Sequence, residues 1–198
     1  FPSGESFDSA DGDVSLVAKL RDLKNWKVTP DCFEAFCKIV YHNRWLKKSA
    51  QAHIDNHPFY QKHRVAINRY FYETCAKSKG HLGLNIFMEK MKQFVVTMWY
   101  GSKITTVPKN VDVDRVIEVE IMGNMVVQRC IAHALIKCMN NYYAIDLLNA
   151  QWLHKTLIAD LENATIDWSN ASNSNWYRVV EWFFPKGVFK HLQRARSG

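Results

Sequence analysis

The sequence predicts an all-α fold, a compact multi-helix bundle of about seven helices. Two observations support it. Apolar residues recur at i, i+3, i+4 and i+7 along most of the chain. Proline follows a cap-type residue closely where two of these stripes begin. The bundle is read either as one domain or as two subbundles joined near residue 105. In the second case residues 1–12 are a flexible leader, 13–100 an N-terminal helical subdomain and 101–198 a C-terminal one.

The leader, FPSGESFDSADG, is small, polar and acidic. A first helix is expected over Asp13–Asn25, carried by Leu16, Leu20 and Leu23. Thr29-Pro30-Asp31 announces a second: a capping hydroxyl, a proline fit for the first helical position and an acid near the positive dipole end. Its stripe of Phe33, Phe36, Cys37, Val40 and Tyr41 runs on to about Ser49. His53–His57 reads as a turn, and Pro58 starts a third helix. His63, Ala66, Ile67, Tyr70 and Phe71 are expected to be its buried stripe, with Gly80 taking a left-handed turn beyond its end. A fourth helix over 84–99 stops at Tyr100-Gly101-Ser102.

Residues 101–112 read as a connector. In VDVDRVIEVEIMG, Val111, Val113, Ile117, Val119 and Ile121 are placed among polar residues at strand period. A lone strand has no partner, so the stretch is read as an extended connector or as helical turns broken at Gly123. Further helices are expected over 124–139, 142–162 and Trp176–Phe184, followed by a basic tail from Lys190 to Arg196.

The chain has 198 residues, 47% apolar and 13% aromatic, enough for a core without a disulfide or metal staple. A formal net charge of +7 leans toward acidic partners. Five cysteines, an odd count with no Cys-X-X-Cys pair, argue against a zinc site and for a reducing compartment. Localisation is therefore read as intracellular, nuclear or cytoplasmic, although Asn163-Ala164-Thr165 and Asn170-Ala171-Ser172 fit the N-glycosylation pattern. No apolar run is long enough to span a membrane.

Function narrows onto RWLKKSAQAHIDNHPFYQKHRVAINRYFY, residues 44–72. Arg44, Lys47, Lys48, Lys62, Arg64 and Arg69 fall off the apolar stripes, and Asp55 is the only acid there. Together with Trp45 they form the candidate binding face. Trp45, Phe59, Tyr60 and Tyr72 are its expected exposed aromatics, and Lys186, Lys190, Arg194 and Arg196 could extend it. Asp112, Asp114, Glu118 and Glu120 are the only acidic cluster, read as a solvent-facing edge; a Mg²⁺ nuclease would want a lysine beside them. No phosphate-cradling glycine loop, HExxH or GxSxG occurs, and no cofactor is implied.

Two stretches resemble known helical families. LRDLKNWKVTPDCFEAFCKIVYHNRWLKK, residues 20–48, is similar to the N-terminal helical module of transcription elongation factor S-II, departing from it at Gln51–Lys62. NWYRVVEWFFPKG, residues 175–187, resembles the Asn-Trp-Gly-Arg segment of the B-cell-lymphoma apoptosis regulators, with Tyr177 in the glycine's place. Both resemblances imply modules that hold partner peptides in grooves. The sequence-based expectation is therefore a non-enzymatic module docking an acidic or amphipathic protein segment on the basic face. The alternative is an RNA- or DNA-binding domain that uses the same face without sequence specificity.

Overall fold

Trp26, Val28, Phe36 and Met91 are fully buried side chains from three different segments, and they mark where the core sits. A computed structural model describes residues 26–108, 114–147, 149–159 and 177–196. The expected leader and the Asp13–Asn25 helix lie outside them. Among the described residues the chain forms eight helices and four short strands, so the all-α expectation holds.

Chain order is β1 (Lys27–Val28), α1 (Pro30–His42), α2 (Arg44–Asp55), α3 (Pro58–Cys75), α4 (Leu82–Phe94), β2 (Thr97–Met98), β3 (Lys103–Pro108), β4 (Asp114–Val119), α5 (Met122–Tyr143), α6 (Ala150–Ile158), α7 (Tyr177–Phe183) and α8 (Lys186–Arg194). The described residues divide into two units: those up to Arg129 with those from Arg194, and those from Cys130 to Gln193.

In the first unit, α1 buries Cys32, Phe36, Cys37 and Val40. α2 buries Leu46, Ala50 and Ile54, and α4 buries Phe87, Met91 and Phe94. Each set repeats at helical spacing, so each helix turns one stripe inward. α4 packs against α1, α2 and α3. The aromatic contacts are specific: Trp26 and Phe36 lie 5.8 Å apart and Tyr60 and Phe94 5.5 Å. Each such buried ring stabilises by roughly 2–3 kcal/mol relative to leaving it in water.

β1 and β2 pair in parallel, Lys27 with Thr97 and Val28 with Met98. The Thr97 amide donates to the Trp26 carbonyl at 3.0 Å and the Trp99 amide to the Val28 carbonyl at 3.0 Å. This stitch carries the chain from the end of α4 back to the start of α1. α5 then docks on the same place. Gly123 lies so close to β1 that a Cβ there would stand 2.7 Å from the Lys27 carbonyl oxygen and 2.7 Å from Val28 Cβ. Next to it, Asn124 is fully buried. Its Oδ1 accepts from the Thr29 amide at 3.1 Å and from Thr29 Oγ1 at 3.2 Å.

Several expectations are corrected. The helix expected from Thr29 to Ser49 is two helices. Asn43 is extended and its side chain accepts from the Trp45 and Leu46 amides at 3.1 Å each, capping α2. Thr29 does not cap α1 with its side chain, because that hydroxyl is engaged by Asn124. The expected turn at His53 is the last part of α2. α3 is kinked at His63, whose backbone is non-helical. The kink rotates the helix, so Tyr60, Phe71 and Cys75 are buried while His63 and Tyr70 are exposed.

α4 stops at Phe94 and gives way to β2. Gly80 has the left-handed φ expected of it, +108°. β3 and β4 pair antiparallel, with Lys103 opposite Val119 and Pro108 opposite Asp114. Of the stretch read at strand period, Asp114–Val119 is a strand with KITTVP as its partner, Ile121 lies past its end, and Val111 and Val113 lie outside the described residues. α5 runs through Gly123 without a break. It ends at Tyr143, ahead of Ala144 at φ +54°. The basic tail is the helix α8. No helix among the described residues is long and apolar enough to cross a membrane.

Two predictions follow from this core. Gly123→Ala should lower unfolding stability by about 1–3 kcal/mol, because backbone and a β-branched side chain must move to admit one methyl; urea denaturation measures it. The second concerns pH. Burial, then the charges of Glu120 and Asp31, push the Cys32 thiol up to about 12. Burial raises that of Cys37 as well. Unfolded thiols ionise near pH 8.5, so these groups favour the fold fully below that pH. Their contribution is lost as pH rises toward 12. The urea midpoint should fall more steeply between pH 8 and 11 in the parent chain than in Cys32→Ala/Cys37→Ala.

Candidate nucleic-acid interface

The Asn43 cap fixes where α2 begins, and so where its cations stand. Arg44, Lys47 and Lys48 follow at i, i+3 and i+4 along one flank of α2. The first turn carries no acid. Cations there oppose the positive end of the helix dipole, an arrangement that costs stability unless an anion is held nearby. Trp45 is 74% exposed beside them.

On α3, Lys62 precedes the His63 kink, and Val65, Arg69 and Tyr72 follow it at helical spacing; all four are exposed. Arg64 is exposed just past the His63 kink. α2 and α3 touch directly. The structure thus places six of the seven candidates in solvent and leaves Lys47 half-buried.

Two candidates have partners within the chain. Lys47 Nζ lies 3.6 Å over the Tyr41 ring. Arg69 Nε donates to Glu73 at 2.8 Å, an exposed i, i+4 pair. The ion pairs found among the described residues use none of Arg44, Lys48, Lys62 or Arg64. Asp55, the lone acid of the stretch, is taken up locally by Gln51 Nε2, which donates to it at 3.0 Å.

The aromatic expectations divide. Trp45, Phe59 and Tyr72 are exposed as expected. Tyr60 is buried instead. Lys90 Nζ donates to its hydroxyl at 3.0 Å, and the hydroxyl in turn reaches Asn68 Oδ1 at 2.9 Å. Tyr70, assigned to the core by spacing, is 64% exposed. The His63 kink exchanges the two, and a periodicity drawn through that residue could not show it. Of the cations expected to extend the face, Lys186 and Lys190 belong to the second unit and Arg194 and Arg196 to the first. The side-chain hydrogen bond and charge of Lys38, then Arg194, hold the Glu34 carboxyl below its ordinary value.

Among the described residues, the acidic cluster does not converge on a metal site. Asp112 lies outside the described residues, and Asp114 and Glu118 are exposed on β4. Ser102 Oγ donates to Glu118. Glu120 Oε2 is buried without a hydrogen-bond partner. Among the described residues no three His, Cys, Asp or Glu side chains converge as a metal site.

The chain matches a known family model. Residues 46–198 fit the family described as RNA replicase, beta-chain. The match starts at Leu46, just after Arg44 and Trp45, and takes in Lys47, Lys48, Lys62, Arg64 and Arg69. No curated protein and no solved structure matches. The family match overturns the expectation of a non-enzymatic peptide-docking module. Groove-binding likenesses over residues 20–48 and 175–187 are outweighed by a fit that covers most of the chain.

Proposed function

Because the chain belongs to the RNA replicase β-chain family, we propose that it is part of an RNA-synthesising enzyme subunit, with the cationic flanks of α2 and α3 gripping the RNA backbone. The observation that carries this reading is the start of α2. Arg44 and Lys47 stand in a first helical turn that holds no acid, with Lys48 directly after them, a placement that a bound phosphate would turn from unfavourable to favourable. Arg44, Lys48, Lys62 and Arg64 are exposed and outside the ion pairs of the described residues. They therefore need break no salt bridge to meet a phosphate.

Such contacts position a nucleic acid without reading its sequence. They suit a polymerase-type protein, which must travel along any template. The neighbouring exposed Trp45 and Tyr72 offer ring faces on which unpaired bases can stack. The reading assigns to this face the holding of RNA, and assigns no residue to the bond-forming step.

Backbone binding releases condensed counterions, so affinity falls with salt by a slope of about 0.7 per phosphate contacted on a single strand. Lys48→Glu/Lys62→Glu/Arg64→Glu should weaken binding of a single-stranded oligoribonucleotide. It should also reduce the slope of log affinity against log salt by about 2, since three contacts are removed. Fluorescence anisotropy at a series of potassium chloride concentrations reads both. An unchanged slope in the triple variant would overturn the assignment of this face.

A further inference from the structure

In the second unit, two large rings stand in solvent at neighbouring positions of the short helix α7. Trp182 is 84% exposed and Phe183 75%, and α7 buries none of its residues. Large rings held in water at adjacent positions are rare unless something covers them in use. Their chemical surroundings indicate what. Arg178 precedes Trp182 by one turn, so the two share a helix face. Pro185 separates α7 from α8, and Lys186 and Lys190 line one flank of α8 at i, i+4. Over residues 177–190 these three cations stand against a single acid, Glu181. The ion pairs found among the described residues use none of the three.

Tyr177 of α7 and Phe189 of α8 meet edge to face at 5.2 Å, which ties the two helices together. Trp182 and Phe183 are also edge to face, at 6.5 Å and 65°. A bilayer surface is the poorer fit. α8 would have to present its apolar side, and Val188, Phe189 and Leu192 are instead partly covered. Exposed rings beside unpaired cations match unpaired nucleotides, which supply ring faces and phosphates together.

We propose that Trp182 and Phe183 form a stacking platform for unpaired RNA bases, with Arg178, Lys186 and Lys190 holding the adjacent phosphates. The proposal rests on the reading that the chain handles RNA, but it names a different surface and a different selectivity. Backbone cations bind single strands and duplexes alike, whereas stacking on a protein ring requires a base already out of its helix.

The test uses the full 198-residue chain and compares a labelled uridylate oligomer with an RNA duplex of equal length by anisotropy. Trp182→Ala/Phe183→Ala should weaken single-strand binding about tenfold or more, from roughly 1–3 kcal/mol per stacked base. Duplex binding should change less than twofold. Trp182→Phe, which keeps a ring, should retain most of the single-strand affinity. Unchanged single-strand binding in the double variant overturns the platform. So does an equal loss for duplex, or a loss confined to phosphatidylserine vesicles. The two surfaces fail separately. If Lys48→Glu/Lys62→Glu/Arg64→Glu is silent while the ring variant loses single-strand binding, the α2–α3 face fails and the platform stands; the opposite pattern removes the platform alone.

Discussion

The first unit depends on one buried junction, Thr29 with Asn124. These residues are 95 positions apart, yet the Asn124 amide takes up both the Thr29 amide and its hydroxyl, and its own Nδ2 donates to Thr29 Oγ1 at 3.1 Å. Three polar groups are thereby satisfied in a site without water access, where leaving any of them alone costs about 1–3 kcal/mol. The junction forms only because Gly123 lets α5 approach β1 within the radius of a methyl group. It aligns the start of α1, the β1–β2 stitch and the start of α5 at one point. α1 in turn backs α2 and α4, so the helix bearing the first cations is oriented by a contact distant from it in both sequence and chemistry.

Much of this was legible in the sequence, and what was not has identifiable physical causes. Thr29-Pro30-Asp31 and Pro58 each marked a helix start, because proline at a first turn is a local signal that tertiary structure rarely overrides. Of the stripe expected on α1, Phe36, Cys37 and Val40 are buried and Phe33 and Tyr41 half-buried. Asn43 was passed over, since nothing in a run of helix-compatible residues announces that one side chain will fold back onto two amides. The β3–β4 pair was half seen. Its second strand alternated visibly, but Lys103–Pro108 mixes threonine, valine and a proline in no clear apolar rhythm, and pairing is a non-local event. The candidate cations were found because charge off a buried stripe is readable residue by residue. Which aromatics accompanied them was not readable, since the His63 kink turns Tyr60 inward and Tyr70 outward.

The two units satisfy their apolar residues differently. The first has the fully buried side chains expected of a core, including Trp26, Phe36, Ile54 and Met91. Among the described residues of the second, none is buried, and Trp152, Trp182 and Phe183 stand in solvent. Sequence pattern alone does not separate these cases. Helical spacing tells which residues share a face, and only coordinates tell whether that face has met anything.

Most of the candidate cations are exposed as their spacing implies, while the peptide-docking role read for them is overturned by the family match, for a reason that is itself physical. An acidic peptide and a phosphate backbone present the same sign of charge to Arg44, Lys48 and Lys62, and no property of the cations alone separates the two. What separates them is the company the cations keep. A peptide-docking face pairs its charges with an apolar groove, whereas a nucleic-acid face pairs them with rings left open to water. Trp45 and Tyr72 beside α2 and α3, and Trp182 and Phe183 beside Lys186, fit the second description. Backbone cations fix where a strand lies without regard to sequence, and rings respond to whether its bases are free. A surface with both kinds of contact can distinguish an opened strand from a duplex.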